Sequence, residues 1–157
     1  MSEGKACAKK ILVAIDGSEQ SMKAADYAIS LAYKYNSKLI AVQVIDLSQL
    51  RLRGDKSGLI AELINPLAEL EGARKESMHW INKVGELARL RHIQFESESI
   101  EDAVSRIGGV IVNYAEKEMV DLIVIGSRGR SGFKKLLIGS VASDVLHYAH
   151  CPVLIVK

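Results

Sequence analysis

Four short and almost unbroken apolar runs limit what this chain can fold into. They are "KILVAI" at 10–15, "KLIAVQVI" at 38–45, "DLIVIG" at 121–126 and "CPVLIVK" at 151–157. Each is too brief for a buried helix, and a strand that is apolar on both sides has to be covered on both sides. The segments between them have helical spacing. Met22, Ala25, Ile29 and Ala32 follow the first run, with Ser18 as N-cap, Glu19 in the first turn and Asn36 as the stop. Asn65-Pro66 opens a long helix to about Arg91, with Ala73, Trp80, Ile81, Val84 and Ala88 on one face and Gly72 and Gly85 as weak points. Ala103, Ile107, Ile111 and Tyr114 mark a third helix, and a fourth runs from Ser140 to about Tyr148. "HIQFESES" at 92–99 alternates apolar and polar residues, as a half-exposed edge strand does. Five strands alternating with four helices predict one domain over 1–157: a doubly wound α/β fold, Rossmann-like, its parallel sheet covered on both faces.

Composition narrows the function classes. A net charge of +2, with 21 basic residues set against 19 acidic ones, is too balanced for non-specific nucleic-acid binding. No apolar run approaches the roughly 20 residues of a membrane span. "MSEGKACAKK" has no apolar leader, so the expectation is a cytoplasmic protein with Cys7 and Cys151 as free thiols.

In a sheet of this kind, ligands bind at the carboxyl ends of the strands. Two connections carry the right chemistry: Asp16-Gly17-Ser18 after the first strand and "GSRGRSGFKKLLIGS" at 126–140 after the fourth. Gly126 and Gly129 allow backbone N–H groups to approach an anion and to take up positive φ. Gly139-Ser140 lies where a helix begins, and a helix N-terminus offers unpaired N–H donors and partial positive charge. Two anion-binding surfaces in one connection suit a polyphosphate. The chain contains neither G-x-x-x-x-G-K-[ST] nor G-x-G-x-x-G. On pattern alone, a plain glycine loop with an N-cap is the competing reading. Asp16 is open to two readings as well, a turn residue or a ligand contact. Arg130, Lys134 and Lys135 either solvate the loop or raise its potential for an anion. His147, His150 and Cys151 have no second cysteine pair near them in sequence, so no metal site is assigned to them. Trp80 reads as core.

The spacing Gly126-x-x-Gly129, nine residues, then Gly139-Ser140 matches G-2x-G-9x-G-[ST]. Together with "ILVAIDGSEQS", "YAEKEMVDLIVIGSRG" and "GSVASDVLHYAHCPVLIVK", it makes the chain resemble the ATP-binding branch of the universal stress protein family over essentially its whole length. The resemblance implies strand order 3-2-1-4-5 and an ATP-binding regulatory protein that acts as a nucleotide-dependent homodimeric switch in a stress response. The alternative is a slow ATPase or nucleotidyl-transfer enzyme on the same pocket, and a nucleotide-free structural dimer is a third option. Carried over by residue, Ile15 and Asp16 hold the adenine or ribose side and Val44 contacts the adenine. Gly126, Arg128 and Gly129 line the ribose and α-phosphate. Gly139, Ser140, Val141 and Ala142 offer N–H groups to the outer phosphates. ATP, or ADP or AMP, comes with Mg or Mn held mainly by phosphate and water. The last strand, Val153, Leu154, Ile155 and Val156, pairs with its twofold mate. "ESESIED", taken as the exit of the third strand, departs from the family's glycine turn, and the role of the 46–58 loop is open.

Overall fold

Five parallel strands form one sheet in the order β3-β2-β1-β4-β5. They are β1 (Lys10–Ala14), β2 (Lys38–Asp46), β3 (Phe95–Asp102), β4 (Leu122–Gly126) and β5 (Val153–Val156). The helices are α1 (Glu19–Tyr35), α2 (Pro66–Leu90), α3 (Ile107–Lys117) and α4 (Ser140–Tyr148). The computed structural model describes residues 8–49, 66–130 and 138–157. Expectations placed on Cys7, Asn65, Lys134, Lys135 and the 46–58 loop from residue 50 onward lie outside the described residues.

The apolar runs are strands because both of their faces are used. Ile11 and Val13 of β1 pack with Ala24, Ala25, Ala28 and Ile29 of α1 and Val84 and Ala88 of α2. Leu12 and Ala14 pack on the other side with Ile111, Val112 and Ala115 of α3 and Ala142 and Val145 of α4. Ile11, Leu12 and Val13 are fully buried, and each such side chain contributes roughly 1.5–3 kcal/mol on transfer from water. The fold class and strand order expected from the sequence are both present.

The punctuation of α1 follows its sequence. Ser18 Oγ accepts from Ser21 N–H at 3.2 Å, and Glu19 pairs with Lys23 one turn on at 2.7 Å. Asn36 ends the helix in the left-handed region at φ 52°, where its N–H reaches the carbonyls of Ala32 and Tyr33. On α2, Gly85 has a packing reason. A Cβ there would stand 2.8 Å from Cε1 of Phe95, so the glycine lets the ring of β3 lie against the helix. Gly72 faces open space. Trp80 is partly buried against the core, as expected.

Two boundaries differ from the sequence reading. The third strand covers 95–102 and not 92–99, because the chain leaves α2 through a turn with His92 at φ 55° and Ile93 N–H bonded back to Ala88. "ESESIED" is therefore the body of β3 and not its exit. The third helix begins at Ile107, leaving Ala103 outside it. The cause is local. Asp102 Oδ1 accepts from the N–H groups of Val104 (2.8 Å) and Ser105 (2.5 Å), a side-chain turn that competes with helix. These hydrogen bonds, that of Ser105 foremost, hold the Asp102 carboxyl below its ordinary value. Exposed Glu96 and Glu98 keep the β3 edge charged, and Glu96 pairs with Lys38 of β2 at 2.6 Å.

Candidate functional site: a cleft at the carboxyl ends of β1, β2 and β4

After β1 the chain turns sharply. Gly17 has φ +80°, and any Cβ there would overlap the Trp80 indole, so the turn requires glycine. Asp16 organises the region. Its Oδ1 accepts from Ser18 N–H at 2.9 Å, and its Oδ2 accepts from Arg130 N–H at 3.0 Å, across 114 positions of sequence. Asp16 is thus a turn residue, as one reading held, and also the anchor of the glycine loop.

The loop after β4 is tied at both ends. Ser127 N–H donates to Val156 O at 2.6 Å, and Ser127 O accepts from Gly139 N–H at 2.7 Å. The expectation of positive φ at the glycines is not met. Neither Gly126 nor Gly129 has positive φ. A Cβ on Gly126 would stand 2.8 Å from the Gln20 backbone of α1, and one on Gly129 would stand 2.6 Å from Asp16 Oδ2. The space left by their missing side chains is taken by the protein itself, so that β4 can lie close to α1 and the Asp16 carboxylate close to the loop.

Gly139 begins α4 without a side-chain cap. Ser143 N–H bonds to Gly139 O at 2.9 Å, which leaves the N–H groups of Ser140, Val141 and Ala142 without an acceptor among the described residues. Amides left open in this way at a helix N-terminus favour an anion.

The opposite end of the cleft is made by β2, which continues past β1. Leu39 N–H bonds to Gln94 O toward β3, and Ile15 N–H bonds to Val42 O at 2.8 Å from the β1 side. Backbone groups alternate along a strand, so those of Val44 turn toward the β1 side, beyond Ala14, where β1 ends.

These parts enclose one cavity of about 660 Å³, within the roughly 300–1,000 Å³ of small-molecule sites. Ile15, Asp16, Val44, Gly126, Arg128, Gly129, Gly139, Ser140, Val141 and Ala142 all line it. Sequence reasoning missed Gln43, Glu76, Arg106, Gly108 and Asp144, which also line it. They come from β2, α2, α4, α3 and the residue that precedes α3, and only the topology brings them together. Two cavity arginines have carboxylate partners: Arg130 with Glu76 at 2.9 Å and Arg106 with Asp144 at 3.5 Å. Arg128 Nε is buried without a partner among the described residues.

The histidines of the last segment lie elsewhere. His147 Nδ1 is 3.2 Å from Ser143 O, and His150 Nε2 is 3.1 Å from Val120 O. Burial pushes the Cys151 thiol up, and Asp121 adds to the effect. Among the described residues no helix is long and apolar enough to cross a membrane.

Comparison with known proteins agrees with this fold. The model of the universal stress protein family matches residues 8–157. Universal stress protein MJ0531 of Methanocaldococcus jannaschii is 37% identical over 153 residues, covering 95% of this chain and 82% of that protein. Universal stress protein YxiE of Bacillus subtilis is 33% identical, covering 94% and 98%. Among solved structures, universal stress protein UspA from Lactobacillus plantarum superposes with TM-score 0.79 at 20% identity, covering 95% and 97%. A universal stress protein in complex with cAMP gives 0.69 at 22% identity, covering 96% and 98%. The universal stress protein from Archaeoglobus fulgidus in complex with dAMP gives 0.65 at 21%, covering 94% and 97%. Fold, cleft and sequence similarity lead to one conclusion: the chain belongs to the universal stress protein family.

Proposed function

We propose that this protein binds ATP in the cleft and acts as a nucleotide-dependent homodimeric switch, placing it in the ATP-binding branch of its family. The observation that carries the reading is the convergence, in one cavity, of three free N–H groups at the start of α4 and the open backbone edge of β2 at Val44. The first suits phosphate. The second offers a donor and an acceptor on one strand edge, which match adenine N1 and the 6-amino group. Two structural neighbours were solved with cAMP and dAMP, both adenine nucleotides, which supports the same class of ligand here.

On this reading the chain's own groups divide the work. Val44 orients the base, with Ile15 beside it. Arg128, whose buried Nε has no partner among the described residues, supplies positive charge along the ribose and α-phosphate. Gly126 and Gly129 bring the loop backbone close to α1 and Asp16, and Gly139, Ser140, Val141 and Ala142 receive the outer phosphates. A Mg or Mn ion accompanying ATP would neutralise phosphate charge, its shell completed by phosphate oxygens and water. The Asp16 carboxylate stays engaged with Ser18 and Arg130.

The switch uses β5, which lies at the sheet edge with Val153, Leu154 and Ile155 half-buried and Val156 buried. An apolar edge strand is a template for pairing, and a second copy would satisfy it. Leu154→Lys is expected to shift the protein from dimer to monomer in sedimentation. A dimer that survives this change places the interface elsewhere.

Calorimetric titration with ATP, followed by measurement of phosphate release, tests the function. One ATP per chain with less than about one turnover per minute is expected of a binding module. Sustained faster release would reassign the site to an ATPase, and no heat of binding would refute the reading.

A further inference from the structure

Gln43 precedes Val44 on β2, and its side chain lies on the opposite face of the sheet. It is 6% exposed and lines the cavity, and its Oε1 is buried with no hydrogen-bond partner among the described residues. A buried amide oxygen left unpaired is destabilising, so such a group in a native cavity calls for an explanation. The nearest polar side chain across the ladder bonds elsewhere. Ser99, the register partner of Gln43 on β3, pairs with Ser77 of α2 at 3.0 Å. The Oε1 of Gln43 is therefore an acceptor without a partner among the described residues, on a side chain that lines the cavity beside the strand edge at Val44.

We propose that Gln43 selects the base, its carboxamide pairing with the N6–N7 edge of adenine that Val44 leaves free. This rests on the nucleotide reading above. Oε1 accepts the second hydrogen of the 6-amino group, and Nε2 donates to N7, the bidentate match between a carboxamide and adenine. Guanine carries a carbonyl at the 6-position and would set one acceptor against another. Val44 reads one edge through backbone and Gln43 the other through side chain, so the selectivity of the cleft has a part that substitution can remove.

The experiment is calorimetry of wild type and Gln43→Leu with ATP and with 7-deaza-ATP, which keeps N1 and the 6-amino group but lacks N7. Wild type is expected to bind 7-deaza-ATP about tenfold more weakly than ATP, the cost of one unpaired buried partner. Gln43→Leu is expected to bind ATP about tenfold more weakly than wild type and to treat the two nucleotides alike. Its nucleotide-free melting temperature should rise, because the leucine removes an unpaired polar group while filling similar volume. If the variant does not fold, the wild-type ratio alone decides. Equal wild-type affinity for the two nucleotides, or the same ratio in both proteins, overturns the role of Gln43 and leaves ATP binding intact. Absence of binding to either nucleotide in wild type overturns both.

Discussion

The two ends of the cleft are built in different ways. The end proposed for phosphate is backbone: amides without an acceptor among the described residues at the start of α4, and a loop tied by Ser127 at its base and by Asp16 at Arg130. The end proposed for the base is topological: β2 outruns β1 and leaves a strand edge at Val44, beside Gln43 with its buried carboxamide oxygen, and both residues line the cavity. The phosphate end therefore depends on residues that must be small or must hold the loop. The base end depends on register, and its one adjustable side chain is Gln43. The first should tolerate almost no substitution at its glycines, and the second should tolerate change while losing selectivity.

Gly129→Val should break the phosphate end most severely. Its side chain would meet Asp16 Oδ2, since even a Cβ stands 2.6 Å away. A loss of ATP affinity of at least about a hundredfold is expected, with the sheet intact by circular dichroism. Unchanged affinity would separate the loop from the phosphates. The same contact predicts coupling: in a double-mutant cycle, Gly129→Ala should cost less in an Asp16→Ala background than in wild type.

A smaller effect is expected from Asp16→Ala alone. It frees Ser18 N–H and Arg130 N–H, at a cost of about 1–2 kcal/mol in chemical denaturation, and weakens ATP by about tenfold through the loosened loop. A full stability loss with unchanged affinity would make Asp16 a turn residue and nothing more.

The smallest effect marks the boundary of the comparison. Hydrogen bonds from Ser105 and Val104 hold Asp102 below its ordinary value, and the Arg74 ion pair does the same for Glu101. A depressed carboxylate contributes stability that is present above its unfolded pKa and is lost as pH falls through the folded one. Glu101 is exposed and Asp102 only half-buried, so Asp102→Asn should only slightly flatten the acid limb of melting temperature against pH. ATP affinity at neutral pH should not change. A large loss of affinity would extend the site to the exit of β3.

The same contrast explains what could be read from sequence. The apolar runs revealed β1, β2 and β4 because burial on both faces leaves little choice of residue, and β5 because even its half-buried positions are apolar. Ser18, Asn36 and Gly139 gave helix ends because caps are local. The start of β3 was misplaced by three residues because "HIQ" alternates like a strand while the left-handed turn at His92 decides the outcome. The glycine loop was found by its spacing, yet the reasons for Gly126 and Gly129 were not visible, since Gln20 and Asp16 meet them only in three dimensions. Gln43 looked like one polar residue in an apolar strand. That it lines a cavity and has a carboxamide oxygen without a partner among the described residues appears only in three dimensions.

Backbone amide NMR with three ligands tests most directly whether the cleft has these two ends. ATP is expected to shift the amide signals of Val44 and of Ser140, Val141 and Ala142. Adenosine should shift Val44 alone, and inorganic triphosphate only the three at the start of α4. If ATP leaves both groups unmoved, or if adenosine perturbs the α4 amides and not Val44, the assignment of base and phosphate ends is wrong.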